Sequence, residues 1–143
     1  MTAGNNRAVV IDTMVVSALV NSAHDPTAAR YLSLIAGRLI LVSFVTVTEL
    51  RYGALKARWG DLRRRGLERD LARFVFVVPD EALMYACAEL RAMSERAGHP
   101  LGQKIHEADR WIAATAMKLG VELVSDDAVF RDVPGLTVIT DPA

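Results

Sequence analysis

A single cysteine, three histidines and no surplus of either charge sign narrow the function of this chain before any motif is read. Cys87 has no partner for an internal disulfide, and its helical spacing between Leu83 and Leu90 marks it as a packing residue. The sequence offers no Cys/His spacing of the kind that holds zinc. Lysine plus arginine equals aspartate plus glutamate, 17 against 17, so the chain lacks the global positive charge that binds nucleic acid indiscriminately. A polyanion must therefore be met by a local patch. Long apolar runs are missing too: after the small, polar segment Met1 to Asn6, the first one is cut by Asp12, too early for a signal peptide or a membrane span. A cytoplasmic protein without a membrane partner is expected. Internal repeats and low-complexity segments are also lacking.

What remains is a chain of 143 residues with 52% hydrophobic side chains, enough to bury the core of one compact domain over residues 1–143. Short runs of Val, Ile, Leu or Phe at 8–11, 39–42, 75–78, 121–124 and 136–139 read as strands. Their lack of polar alternation predicts a sheet covered on both faces. Helical patterns fall near 13–22, 26–36, 44–58, 61–73, 80–97 and 104–118, with Gly37 and Gly120 placed as C-caps and Pro79-Asp80 opening a helix. Strand and helix alternate throughout. The expected architecture is an α/β fold, a three-layer α/β/α sandwich around a mainly parallel five-stranded sheet with right-handed crossovers.

Four acids stand where apolar segments meet loops. Asp12 follows Ala8-Val9-Val10-Ile11 and Asp127 follows Leu123-Val124-Ser125, which places both beyond the carboxyl ends of strands, the edge where open parallel sheets bind ligands. Glu49 and Asp109 fall inside helical patterns, flanked one turn away by Val45 and Tyr52 and by Ile105 and Ile112, so both are expected to point toward the core. Each acid has an ordinary reading: a helix cap or turn residue for Asp12 and Asp127, an ion pair with Arg51 or Arg110 for the other two. Taken together, however, four converging carboxylates need cations, protons or basic partners, and a hard divalent cation is the simplest answer.

These segments also carry a family resemblance over nearly the whole chain. Val9-Val10-Ile11-Asp12-Thr13, Val47-Thr48-Glu49-Leu50 with Gly53-Ala54, Ala108-Asp109-Arg110-Trp111-Ile112-Ala113-Ala114-Thr115-Ala116, and Leu123-Val124-Ser125-Asp126-Asp127 with Phe130 and Pro134-Gly135-Leu136 together resemble a PIN-domain ribonuclease of the VapC toxin type. The resemblance implies that Asp12, Glu49, Asp109 and Asp127 are catalytic. Asp12, Asp109 and Asp127 would hold Mg²⁺, with Mn²⁺ as a substitute, and Glu49 would bind metal or orient water. Thr13 and Ser125 match supporting hydroxyl positions. The position before the last acid is usually Asn in that family and here is Asp126, which either shares or replaces the ligand role of Asp127 or, the reading favoured by the spacing of Asp127 to Phe130, caps the short helix that follows. An RNA substrate, a VapB-like antitoxin whose carboxyl-terminal segment blocks the acidic groove, and a homodimer are implied in the same way.

Substrate contacts are expected outside the acids. From Lys56 to Arg73 seven basic residues face three acids, and Lys56, Arg58, Arg64, Arg65 and, near the acids, Arg110 are the candidate RNA contacts. The competing reading is a solvated helix face with internal ion pairs such as Asp61 to Arg65. Trp59 and Trp111 read as packing residues. A metal-free ribonuclease using two of His24, His99 and His106 is a formal alternative, as are an RNA-processing PIN domain outside any toxin pair and a non-catalytic binding module. A phosphotransfer domain is disfavoured because Met14 stands where a dehalogenase-type phosphatase needs a second Asp, and the acidic pair of a receiver domain is missing.

Overall fold

A computed structural model describes residues 8–21 and 23–140. Five parallel strands, β1 (Ala8–Ile11), β2 (Leu39–Ser43), β3 (Val75–Val77), β4 (Glu122–Val124) and β5 (Val138–Ile139), form one sheet in the order β3-β2-β1-β4-β5. The helices α1 (Thr13–Val20) and α2 (Ala28–Ile35) lie between β1 and β2, α3 (Phe44–Lys56) and α4 (Asp61–Leu71) between β2 and β3, and α5 (Glu81–Ala97) and α6 (Glu107–Leu119) between β3 and β4. The alternation expected from the sequence is therefore the alternation found, with ends that shift by a few residues. Ser22, the last residue of the helix expected over 13–22, lies outside the described residues, as does the segment Met1 to Asn6.

The side-chain alternation of the central strands builds two cores. Val9 and Ile11 of β1 join Val42 and Val124 against α1, α2, α3 and α4, including Val15, Val16, Ile35, Leu67 and Leu71. Val10, Leu41 and Leu123 point to the opposite face, against Leu83, Cys87 and Leu90 of α5 and Ile112, Ala113 and Ala116 of α6. With each fully buried Val, Leu or Ile contributing about 1.5–3 kcal/mol, these two layers are the main source of stability and the reason the central strands carry no polar positions. The three-layer arrangement stands as expected.

Two expectations need correction. The strand over 75–78 is not covered on both faces: β3 is an edge strand, and Val75 and Phe76 are 45% and 38% exposed, because no further strand or helix extends past it. The guanidinium of Arg51 lies 5.9 Å from the Phe76 ring and shields part of that edge. The helix expected from residue 104 begins instead as a separate 3₁₀ turn at Lys104–His106, and α6 starts at Glu107. Asp80 caps α5 by accepting from the Leu83 N–H at 2.8 Å. Gly98 and Gly120 close α5 and α6 in the left-handed conformation that glycine adopts without strain.

Candidate active site at the carboxyl edge of the sheet

The strand order reverses direction at β1, whose neighbours β2 and β4 are joined to it by connections running opposite ways across the sheet. That switch leaves a crevice beyond the carboxyl ends of β1 and β4. Asp12 and Asp127 follow those two strands, and α3 and α6 bring Glu49 and Asp109 toward the same crevice.

Asp12 is the most enclosed of the four, only 4% exposed. It caps α1, one carboxylate oxygen accepting from the Val15 N–H at 2.9 Å, and the other accepts from the Ser125 hydroxyl. Burial pushes its pKa above the ordinary aspartate value; the bonds from Ser125 and Val15 pull it down, and the charges of Asp127 and Asp109 push it up again. Those last two influences put Asp12 in one field with two acids about a hundred residues further along the chain. Ser125, fully buried at the end of β4, also accepts from the Asp127 N–H at 3.0 Å, so one hydroxyl fixes both acids.

Glu49 and Asp109 do not point into the core as their helical spacing suggested. Glu49 is an exposed residue, Asp109 is half-buried, and two of the apolar neighbours behind the expectation, Tyr52 and Ile105, are themselves exposed. The core-facing stripe of α3 is held by Thr46, Val47 and Ala54 and that of α6 by Ile112, Ala113 and Ala116, which leaves the acids on the flanks that border the crevice. Desolvation, then the charge of Asp109, raise the Glu49 pKa, opposed by a hydrogen bond from Thr13. Thr13 also shares a 2.9 Å hydroxyl–hydroxyl hydrogen bond with the buried Thr46. Because Glu49 is open to solvent, its shift is screened and bears on chemistry more than on stability. His106 Nδ1 donates to Asp109 Oδ2 at 2.9 Å.

Several candidate residues are placed differently. Arg110 is 3% exposed and donates to the backbone carbonyls of Leu101 and Gln103 at 2.8 and 2.6 Å, so it braces the 3₁₀ connector ahead of α6 and is not an RNA contact. Its place in the inward stripe of α6 decided this over its charge. Arg51, offered as a partner for Glu49, pairs with Glu68 at 2.7 Å instead. Asp126 does not cap the short helix: Asp127 does, accepting from the Val129 N–H at 3.0 Å, while Asp126 accepts from the Tyr31 hydroxyl at 2.6 Å. Arg64 pairs with Asp61 at 2.6 Å, and Arg65 reaches the Asp61 carbonyl, so the ion-paired reading holds for part of the basic stretch. Lys56 lies over the exposed Tyr52 ring, 5.9 Å from its centre, and Arg58 is exposed just beyond α3 with a positive φ of 56°. Arg63, one of the seven basic residues of that stretch but not singled out from it, stacks its guanidinium 3.7 Å from the Trp59 ring centre in a cleft of about 480 Å³ that reaches Glu49. Trp111 packs edge-on against Phe44 of α3, ring centres 5.2 Å apart, as a packing residue should.

The chain matches the family model described as PIN domain over residues 9–136. It belongs to the PIN-domain family. Among curated proteins it is similar to Ribonuclease VapC4 of Mycobacterium tuberculosis (strain ATCC 25618 / H37Rv), 35% identical over 138 residues that span 95% of this chain and 98% of that protein. Among solved structures, VapBC2 from Rickettsia felis, bound to a DNA fragment from their promoter, shares the fold at a TM-score of 0.76 and 23% identity, covering 93% of this chain and 98% of the other. VapBC-5 from Mycobacterium tuberculosis superposes at a TM-score of 0.62 with 26% identity, covering 93% and 96%.

The donor set of this PIN domain suits a hard divalent cation. Asp12, Asp109 and Asp127 offer carboxylate oxygens alone, and the partners of Asp12 use one lone pair on each oxygen, leaving further lone pairs for a cation. As the side chains stand, no group of three His, Cys, Asp or Glu among the described residues is drawn together to ligand distance. No helix among the described residues is long and apolar enough to cross a membrane.

Proposed function

We propose that this PIN domain is a Mg²⁺-dependent endoribonuclease, the toxin of a type II toxin-antitoxin pair, working as a single domain in the cytoplasm. The observation that carries the reading is the gathering of Asp12, Asp109, Asp127 and Glu49 at the switch-point crevice, in a chain 35% identical to a named VapC ribonuclease over nearly its full length. Asp12, Asp109 and Asp127 are the residues that would hold Mg²⁺ or Mn²⁺, which when bound supplies charge neutralisation at the phosphate and a more acidic water. Ser125 keeps Asp12 oriented, and His106 holds the outer oxygen of Asp109. Glu49, whose raised pKa favours proton uptake and whose carboxyl is steadied by Thr13, is suited to accept a proton from water at the crevice mouth.

RNA enters along the cleft from Trp59 and Arg63 to Glu49, with Lys56 and Arg58 as flanking phosphate contacts. Two of the three histidines are engaged elsewhere, which weighs against the metal-free alternative: His99 is tied to the Arg131 carbonyl and the Leu101 N–H, and His106 to Asp109. A VapB-like antitoxin belongs to the same reading, supported by the VapBC complexes that share this fold, and the reading extends to a homodimer. The test is cleavage of RNA by the purified chain freed of antitoxin, with ends mapped by ligation before and after phosphatase. Activity that needs Mg²⁺ or Mn²⁺, stops with chelator and leaves 5′-phosphate and 3′-hydroxyl ends is expected. Full cleavage in excess EDTA, or 2′,3′-cyclic phosphate ends, would overturn it.

A further inference from the structure

We propose that Tyr31 is a positioning residue for the acidic crevice: its hydroxyl holds Asp126 outside the crevice and so sets the loop that presents Ser125 and Asp127. The catalytic consequence rests on the nuclease reading above, whereas the tie itself rests on geometry.

Asp126 and Asp127 follow β4 in a loop, where no strand alternation sets their directions, and they go to different partners: Asp127 to the Val129 N–H and Asp126 to Tyr31. Tyr31 lies on α2, a helix that contributes none of the four crevice acids, and its ring is 6% exposed within the core packed by α1 and α2. A ring fixed by packing presents its hydroxyl with little further loss of conformational freedom. That hydroxyl donates to Asp126 Oδ2 at 2.6 Å across 95 positions of sequence, a charge-assisted bond and therefore a strong one. On the other side of the loop, the Ser125 N–H donates to the Ile139 carbonyl at 3.1 Å, and the Ser125 hydroxyl joins Asp12 to the Asp127 N–H. Residues 125, 126 and 127 are thus held in turn by the sheet, by α2 and by a helix cap.

Loss of the tyrosine hydroxyl would remove this tie one position before Asp127, and the loop would spread over orientations in which Asp127 no longer faces Asp12. Asparagine at position 126 retains an oxygen able to accept from Tyr31, whereas alanine does not.

The test uses the full chain with Tyr31→Phe, Asp126→Ala, Asp126→Asn and the double variant Tyr31→Phe/Asp126→Ala, all assayed well below their melting temperatures. Two quantities are read: Mn²⁺ affinity of the protein alone, from the electron paramagnetic resonance of free Mn²⁺, and kcat and KM for RNA cleavage. Tyr31→Phe and Asp126→Ala should each weaken Mn²⁺ binding and lower kcat by about tenfold, the scale for groups that orient metal ligands, with KM little changed. The double variant should be no worse than either single one, and Asp126→Asn should recover most of what alanine loses. Additive losses, an unaffected Tyr31→Phe, or an Asp126→Asn as defective as Asp127→Asn, which would make Asp126 itself a ligand, overturn the proposal. A wild-type chain that binds Mn²⁺ but cleaves no RNA would sink the nuclease reading while the Mn²⁺ measurements still judge the tie; one that binds no Mn²⁺ overturns both.

Discussion

Replacing Asp12 by Asn should make the metal-free protein more stable while abolishing its activity, and the structure supplies the sign. The asparagine carbonyl retains the cap on the Val15 N–H, since Asn and Asp cap equally well. The Ser125 hydroxyl, which now donates to Asp12, can turn to accept from the new amide. What disappears is a buried charge whose folded-state pKa lies above the ordinary value of 3.8. For a raised carboxyl the folded state binds more protons than the unfolded one between the two pKa values. Its contribution to stability is therefore fully present below pH 3.8 and is lost as pH rises through the folded pKa. Each tenfold weakening of ionisation corresponds to about 1.4 kcal/mol. A gain of about 1 kcal/mol for the variant at pH 7 would raise Tm by roughly 3–4 °C in a domain of this size. Thermal melts in EDTA from pH 3 to pH 8 should show wild type falling behind Asp12→Asn as pH increases and the two converging in acid. Asp12→Ala, which also loses the cap, should lie below Asp12→Asn by about 1 kcal/mol. Added Mg²⁺ should stabilise wild type and not the variants. An Asp12→Asn protein less stable than wild type across the whole pH range would refute the picture of a crowded acidic crevice.

Three further outcomes follow from particular contacts. Arg110→Met should destabilise the fold by about 2–3 kcal/mol by orphaning the Leu101 and Gln103 carbonyls, and should leave the salt dependence of RNA binding unchanged; a shallower salt slope would restore Arg110 as a phosphate contact. Gly102→Ala would bring a methyl group to 2.7 Å from the Glu95 backbone nitrogen and should cost about 1–3 kcal/mol in a denaturant titration; an unchanged midpoint would mean that the turn at 100–102 can move away from α5. The Cys87 thiol is pushed up by burial, so native protein should react with a disulfide reagent only on unfolding, and prompt labelling at neutral pH would contradict its place in the core.

The sequence by itself determined the alternation of strands and helices, because apolar runs without polar positions have nowhere to go except between two covering layers. It also determined which acids end up at the crevice, since Asp12 and Asp127 follow the strands on either side of the switch point wherever their side chains turn. What it left open were orientations on helix flanks and the division of labour between neighbours. Charge argued for Arg110 in solvent, yet the carbonyls of a 3₁₀ connector nine and seven residues away gave a buried guanidinium its partners. Helical spacing argued for Glu49 and Asp109 in the core, yet both border the crevice, because the inward stripes were already filled by smaller and more apolar residues. Asp126 and Asp127 are chemically identical and adjacent. They part through contacts such as the hydrogen bond from Tyr31 to Asp126, which spans 95 positions, a long-range outcome that no local pattern encodes.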